Sequence, residues 1–171
     1  MEIVKYPDPI LRRGGKAIDD FDAQLADTAR EMLESMYRQR GVGLAAPQVG
    51  LDLSLLVLNP SGDPEKSEEE MTLINPKLKA KKGREWGEEG CLSFPGIYAE
   101  VERYKEIVVV YQDLQGEEQS TKLTDFLARV VQHEMDHLQG VLFVDRLGAV
   151  DRIRVKPQLL EMERVYKGAP A

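Results

Sequence analysis

Hydrophobic and polar positions along this chain follow two periods, one typical of helices and one typical of strands. Apolar residues at three- and four-residue steps predict an amphipathic helix over Phe21–Tyr37. Asp19 or Asp20 suits its N-cap, and Gly41 lies just beyond its end. The pattern therefore predicts a helix that buries one face and exposes the other.

A second helical pattern covers Thr124–Leu138, which Thr124 can cap and Gly140 can end. Towards the end of the chain the periodicity is weaker. Because Pro157 suits the first turn of a helix, a short C-terminal helix is predicted from there to about Tyr166.

Four segments are predicted to be strands: three with apolar or β-branched side chains, and a more polar fourth that can return as a partner of the third. They are Leu53–Leu58, Met71–Asn75, Ile107–Tyr111 and Gln119–Leu123. An acidic loop separates the first two, and a Gln-Gly turn separates the last two. Because helices and strands do not alternate regularly, the predicted class is α+β, in one domain of residues 1–171.

Composition narrows the choice of location and partner. The chain has 171 residues, of which 42% are apolar, and a formal net charge of −7. That charge argues against broad nucleic-acid binding, so no specific DNA partner is expected. Met1–Tyr6 lacks a basic region followed by an apolar run, and no run is long enough to cross a bilayer. A cytoplasmic location without a membrane partner is therefore expected.

The two histidines of the chain both lie in the second predicted helix, within Gln132–Leu138. His133 and His137 are one turn apart on one face, where two imidazoles can bind one ion. Glu134 lies beside that face, close to where an ion would hold water. The alternative is a buried, neutral histidine pair held only by hydrogen bonds.

A catalytic metal site of this kind needs a third protein ligand and an open position. Downstream of His137 there are carboxylates but no histidine. Upstream, the single cysteine, Cys91, lies in the segment Glu88–Pro95 beside two carboxylates. Carboxylates disfavour a thiolate unless a cation is near, which favours Cys91 as a metal ligand over a small buried core residue.

A glycine-rich segment, Gly41–Gly50, contains three glycines and two alanines, so its backbone could approach a ligand closely. Gln48 within it offers an amide that could donate to an oxyanion. Taken alone, such a segment is more typical of an ordinary turn. It is not a phosphate loop, because no Gly-Lys-Ser/Thr follows.

The chain resembles the peptide deformylase family of bacterial type in three segments: Gly41–Gln48 (GVGLAAPQ), Glu89–Ser93 (EGCLS) and Gln132–Leu138 (QHEMDHL). The resemblance extends along nearly the whole chain, including Tyr6–Arg12 and Ile74–Pro76. It implies antiparallel sheets packed around a central helix that carries the HExxH motif. An N-terminal amphipathic helix and a short C-terminal helix would complete the fold.

The resemblance also implies an activity. Members of the family remove the formyl group of the initiator methionine as formate, so formyl-methionyl nascent polypeptides are the expected partners. One divalent ion is expected, with Cys91, His133 and His137 as its ligands. Fe²⁺ is the expected native ion, and Zn²⁺ or Ni²⁺ can occupy such a site.

Further roles follow from the same resemblance. Glu134 would move protons, while Gln48 and the backbone N–H of Leu92 would hold the oxyanion. The residues expected around the substrate are Gly43 and Gly90 at its backbone, and Val130 and Phe126 along the methionine side chain. The residues expected to support the site are Asp136, Gln132, Glu89 and Arg103, the last two as an ion pair.

Two features depart from the family pattern or extend it. Tyr98 stands where some relatives have an arginine near the site entrance. The segment Asp151–Lys167 is mildly basic, so a transient contact with the ribosome is a hypothesis, and a solvated helix face is the alternative.

Two other functions compete with deformylation. A metallopeptidase that cuts internal peptide bonds can carry the same helix motif, but an upstream cysteine ligand argues against it. A metal-binding protein without catalysis is the second competitor, and the presence of both Glu134 and Gln48 argues against that function.

Overall fold

The computed structural model describes residues 1–168, so the last residues of the predicted domain 1–171 lie outside it. Within that range the fold is α+β with antiparallel sheets, which confirms the predicted class. The helices are α1 (Ala23–Arg38), α2 (Asp125–Leu138) and α3 (Ala149–Tyr166). The strands are β1 (Gly43–Ala45), β2 (Leu55–Leu58), β3 (Met71–Lys82), β4 (Glu85–Cys91), β5 (Phe94–Arg103), β6 (Glu106–Gln112) and β7 (Glu118–Thr124). None of the described helices is both long and apolar enough to cross a membrane.

The strands form two separate sheets. A five-stranded sheet has the order β1-β2-β3-β6-β7, and β4 pairs only with β5 in a two-stranded sheet. The short strand β1 is therefore an edge strand, held by β2 through the pairs from Gly43–Leu58 to Ala45–Leu56. These two edges, β1 and β4, approach the same helix.

Helix α2 lies in the middle of the molecule and packs against β1, β2, β6 and β7. Its buried residues run without interruption from Val130 to His137, so polar side chains are buried there together with apolar ones. Val131 and Met135 join a core with Leu56, Leu58 and Val109 of the large sheet. Burial on almost every side explains why its histidines need partners or a ligand.

The caps of the helices differ in part from those expected. Helix α1 starts later than predicted, because Asp22, and neither Asp19 nor Asp20, accepts a hydrogen bond from the N–H of Leu25 at 2.9 Å. The side chain of Thr124 makes no capping bond to α2. Gly140 does end α2 at a positive φ, and a Cβ there would lie 2.3 Å from the carbonyl oxygen of Arg12.

Two elements were placed wrongly or missed. Helix α3 begins at Ala149, so Pro157 lies inside it and not in its first turn. The helix continues through the missing N–H because Val155 packs into a second core with Phe143 and Val101. The β4–β5 hairpin was not predicted, since both strands carry many charged residues.

Candidate metal centre

Three candidate ligands converge where β4 meets α2. Cys91 ends β4 at a shift in the β4–β5 register, while His133 and His137 face it from one side of α2. Their ligand atoms all lie within 4.8 Å of one another, and Cys91 Sγ is 3.4 Å from His137 Nε2. Tetrahedral binding of one ion at ordinary metal–sulfur and metal–nitrogen lengths places such atoms roughly 3.5 Å apart. The donor set therefore fits a single divalent ion.

Glu89 fixes the orientation of His133. Its Oε2 lies 2.8 Å from His133 Nδ1, which leaves Nε2 directed towards Cys91 and His137. Burial raises the pKa of Glu89, but hydrogen bonds from Arg103 and His133 lower it by more than burial raises it. The pKa therefore falls from 4.5 to about 2. Glu89 is thus a buried carboxylate that stays charged and polarises a candidate ligand.

The two histidines differ in their affinity for protons. Burial lowers the pKa of His133, but hydrogen bonds with Cys91 and Glu89 raise it by more, so that it lies well above its ordinary value. Burial and the nearby charge of His133 hold the pKa of His137 well below its ordinary value. Positive charge is therefore favoured beside Cys91, and His137 is in the neutral form that binds metals.

Glu134 lies next to this cluster and has little compensation for its burial. Its Oε2 is buried and has no hydrogen-bond partner among the described residues. Burial raises its pKa to about 7, in spite of the opposing effect of His133. A Cβ at Gly43 would lie 2.7 Å from Glu134 Oε1, so a side chain there would displace the carboxylate. The site thus holds a carboxylate that can gain and lose a proton near neutral pH.

Gln48 reaches the cluster from a short 3₁₀ turn after β1. Its Oε1 accepts a hydrogen bond from the N–H of Ala45 at 2.9 Å, which fixes the amide orientation. Its Nε2 then lies 3.4 Å from Cys91 Sγ and 3.3 Å from Ser93 Oγ. Leu92 lies between Cys91 and Ser93 in the turn from β4 to β5.

A cavity of about 500 Å³ opens over the cluster, between the edges of β1 and β4. Gly43, Gly90, Val130 and Phe126 line it, as do Gln48 and Glu134. Val130 is buried, whereas Phe126, at the rim of the cavity, is 54% exposed. Tyr98 also lines the cavity and packs on Gly90, where a Cβ would lie 2.6 Å from its ring. All four expected substrate-binding residues therefore lie at one opening.

The other expected support residues lie behind the cluster. Arg103 bonds Glu89 on one side, at 2.8 and 3.0 Å, and Asp136 on the other, at 2.5 Å. Gln132 does not reach the ligands. It bonds the backbone N–H and C=O of Tyr104, at 3.0 and 2.8 Å, and so ties the end of β5 to α2.

Two arginines of this network were missed from the sequence. Arg129 donates to Glu89 at 3.0 Å and also to the carbonyls of Glu85 and Val101. Arg146 donates to Asp136 through Nε at 2.5 Å and Nη2 at 2.6 Å. Arg129 could have been found, because it lies one turn before His133 on the same helix. Arg146 carries no such local signal.

The fold and the site together define a class of protein. A thiol and two imidazoles lie around one point, beside a buried carboxylate whose Oε2 has no partner among residues 1–168, and a cavity opens above them. This arrangement is that of a candidate mononuclear metal centre with an open position. A family model, described as polypeptide deformylase, matches residues 1–152. The chain belongs to the polypeptide deformylase family.

Relatives of known identity agree with this assignment. The chain is similar to peptide deformylase 1B of Arabidopsis thaliana, described as chloroplastic/mitochondrial, with 47% identity over 168 residues, covering 98% of this chain and 61% of that protein. It is 42% identical over 163 residues to the peptide deformylase of Thermotoga maritima, covering 95% of this chain and 96% of that protein. A solved peptide deformylase structure from Plasmodium falciparum superimposes with a TM-score of 0.95 at 40% identity, covering 99% of each chain. The chain spans about three fifths of the length of the plant relatives that it matches.

Proposed function

We propose that this chain is a metal-dependent hydrolase that removes the N-formyl group, as formate, from the initiator formyl-methionine of new polypeptides. The observation that carries the proposal is the convergence of Cys91, His133 and His137 beside Glu134, at the base of a cavity. Bacterial relatives of nearly the same length, described as peptide deformylases, support it.

The ligands proposed for the ion are Cys91 Sγ, His133 Nε2 and His137 Nε2. When bound, a divalent ion would supply Lewis acidity that polarises the formyl carbonyl and acidifies a water molecule. We propose Fe²⁺ as the native ion, on the strength of family membership. A thiolate with two imidazoles also suits Zn²⁺ or Ni²⁺.

Proton transfer is assigned to Glu134. Its unpartnered Oε2 would take a proton from the attacking water and later deliver it to the nitrogen of the leaving amine. A raised pKa suits both steps, because the group must bind the proton and release it within one turnover. The C–N bond of the formamide breaks and formate leaves with the oxygen that came from water.

The developing charge on the formyl oxygen needs fixed donors. The N–H of Ala45 donates to Gln48 Oε1 and so fixes the side-chain amide. Gln48 Nε2 would therefore need little reorientation to donate to the formyl oxygen. We assign the second donor to the backbone N–H of Leu92, which follows the ligand Cys91 directly.

Substrate binding is assigned to the gap between the two sheet edges. An extended peptide would pair its backbone with the edges at Gly43 and Gly90, neither of which carries a side chain of its own. The methionine side chain would lie along Val130 and Phe126. The carbonyl under attack carries only hydrogen, so a formyl group needs less room over the cluster than any larger acyl group.

Support for the reacting groups comes from the network behind them. Glu89 and Arg103 would hold His133 in one tautomer, and Asp136 would hold Arg103. Gln132 would fix the distance between α2 and the end of β5.

The test is an assay of metal-loaded protein with formyl-Met-Ala-Ser, acetyl-Met-Ala-Ser and unformylated Met-Ala-Ser. We expect formate from the first peptide only, and no cleavage of internal bonds in any. Internal cleavage without formate would identify a metallopeptidase instead. Bound metal without any turnover would favour a metal-binding protein that lacks catalysis.

Two further expectations stay predictions. A cytoplasmic location is one, and relatives described as chloroplastic point to other compartments as well. A ribosome contact through the basic part of α3 is the other. Arg154 bonds Asp151 and the carbonyl of Tyr98, and Arg152 bonds the carbonyl of Leu147, so part of this charge is already engaged within the chain.

A further inference from the structure

The N-terminal segment Val4–Tyr6 lies across both loops that would supply the oxyanion donors. The N–H of Val4 donates to the carbonyl of Gln48 at 2.7 Å, and the N–H of Tyr6 donates to the carbonyl of Ser93 at 3.0 Å. Between them, the Lys5 ammonium donates to the carbonyl of Leu92 at 2.6 Å. Three consecutive residues therefore hold two loops that are 43 or more positions apart in the chain.

The bond from Lys5 acts on one residue in particular. The backbone N–H and C=O of Leu92 belong to adjacent peptide units, joined through its own φ and ψ. Fixing the carbonyl restricts how far the N–H can turn. The side chain of Leu92 adds a second restraint, because it packs towards Gly41, where a Cβ would lie 2.8 Å from Leu92 Cδ1.

We propose that Lys5 is a positioning residue that holds the Leu92 carbonyl and thereby aims the Leu92 N–H at the formyl oxygen. The inference rests on the proposed function for its catalytic meaning, but its structural part can be measured separately. A hydrogen bond from a charged donor is stronger than one between neutral groups, which suits an anchor on an exposed side chain.

Lys5 also lines the cavity, so a direct contact with substrate is the competing role. The two roles make different kinetic predictions. A group that orients an oxyanion donor acts mainly in the transition state, so its loss lowers kcat. A group that only attracts substrate changes KM.

The first experiment compares Lys5→Met, Lys5→Arg and wild type, all metal-loaded, with formyl-Met-Ala-Ser. We expect Lys5→Met to lower kcat by about tenfold, with KM changed less than about twofold. Lys5→Arg should recover most of the rate, because it can still donate to a carbonyl. Lys16→Met is the matched control, since Lys16 pairs with Asp52 at the surface and should leave kcat unchanged.

The second measurement does not depend on turnover. In zinc-loaded, ¹⁵N-labelled protein, Lys5→Met should lower the order parameter of the Leu92 amide and shift its resonance, while Lys16→Met should do neither. An unchanged Leu92 amide would overturn the proposal, as would a loss confined to KM. If wild type releases no formate, the proposed function fails, and the Leu92 amide still decides whether Lys5 is its anchor.

Discussion

Glu89 Oε2 lies 2.8 Å from His133 Nδ1, and the same carboxylate accepts two bonds from Arg103. One buried acid thus connects a candidate metal ligand to the charged network behind the site. The pair determines which ring nitrogen of His133 faces Cys91. It also makes the centre sensitive to changes in a residue that would not touch the ion.

Replacing Glu89 by Gln should weaken metal binding. The neutral amide cannot polarise His133, and it leaves the positive charge of Arg103 poorly compensated. We expect an affinity loss of about 10- to 100-fold, measured by competition with a chromophoric chelator. Glu85→Gln, an exposed change in the same strand, is the control. Equal affinities in the two variants would contradict the assigned role of Glu89.

Acid should destabilise the metal-free protein through the same group. The pKa of Glu89 is lowered from 4.5 to about 2 in the folded protein, so its contribution is complete above pH 4.5 and is lost as pH falls towards 2. The size is about 3 kcal/mol. Urea unfolding at several pH values should give wild type a steeper loss of unfolding free energy over this range than Glu89→Gln. Parallel curves would argue against a charged Glu89.

Replacing Glu134 by Gln should separate chemistry from metal binding. We expect kcat to fall by about 10²- to 10⁴-fold, because the amide cannot accept a proton. The metal content should stay unchanged, since Glu134 is not among the candidate ligands. The melting temperature should not fall, because the variant removes a buried charge whose Oε2 has no partner among residues 1–168. Near-normal turnover in this variant would refute the role.

Gly43 should tolerate no side chain. In Gly43→Ala the added Cβ would lie 2.7 Å from Glu134 Oε1 and 3.0 Å from Val130 Cγ1, so the carboxylate must move. Displacing a reacting group by about 1 Å can cost about 100-fold in rate. Gly148→Ala is the control, because its nearest neighbour, Trp86, is 3.8 Å away. Steady-state kinetics with a formylated peptide should show the loss in the first variant only.

The sequence predicted the relative placement of the two histidines well because helical periodicity is local information. The spacing of His133 and His137 places them on one face whatever surrounds the helix, and that is how they lie. The carboxylates beside Cys91 only favoured it as a ligand, and the family resemblance placed it with the histidines, because its position depends on how β4 meets α2. The role proposed for Lys5 could not be predicted from its neighbours in the sequence, because its partner Leu92 is 87 positions away.

The fold was less predictable where strands are polar or tertiary contacts override a local rule. Strand β4 carries four glutamates or glycines in a row before Cys91, which no strand propensity favours, yet it pairs along its whole length with β5. Pro157 indicated a helix start, but packing of Val155 against the second core extends α3 through it.

The separation of the two sheets has a consequence for the range of substrates. Strands β1 and β4 are edge strands on either side of the cavity, so both can offer main-chain N–H and C=O groups to a bound peptide. Bonds of that kind are the same for every amino acid except proline. A peptide bound there would be recognised through its side chain at the first residue and only through its backbone at the residues that follow. One binding site could thereby serve proteins that share nothing beyond their first residue.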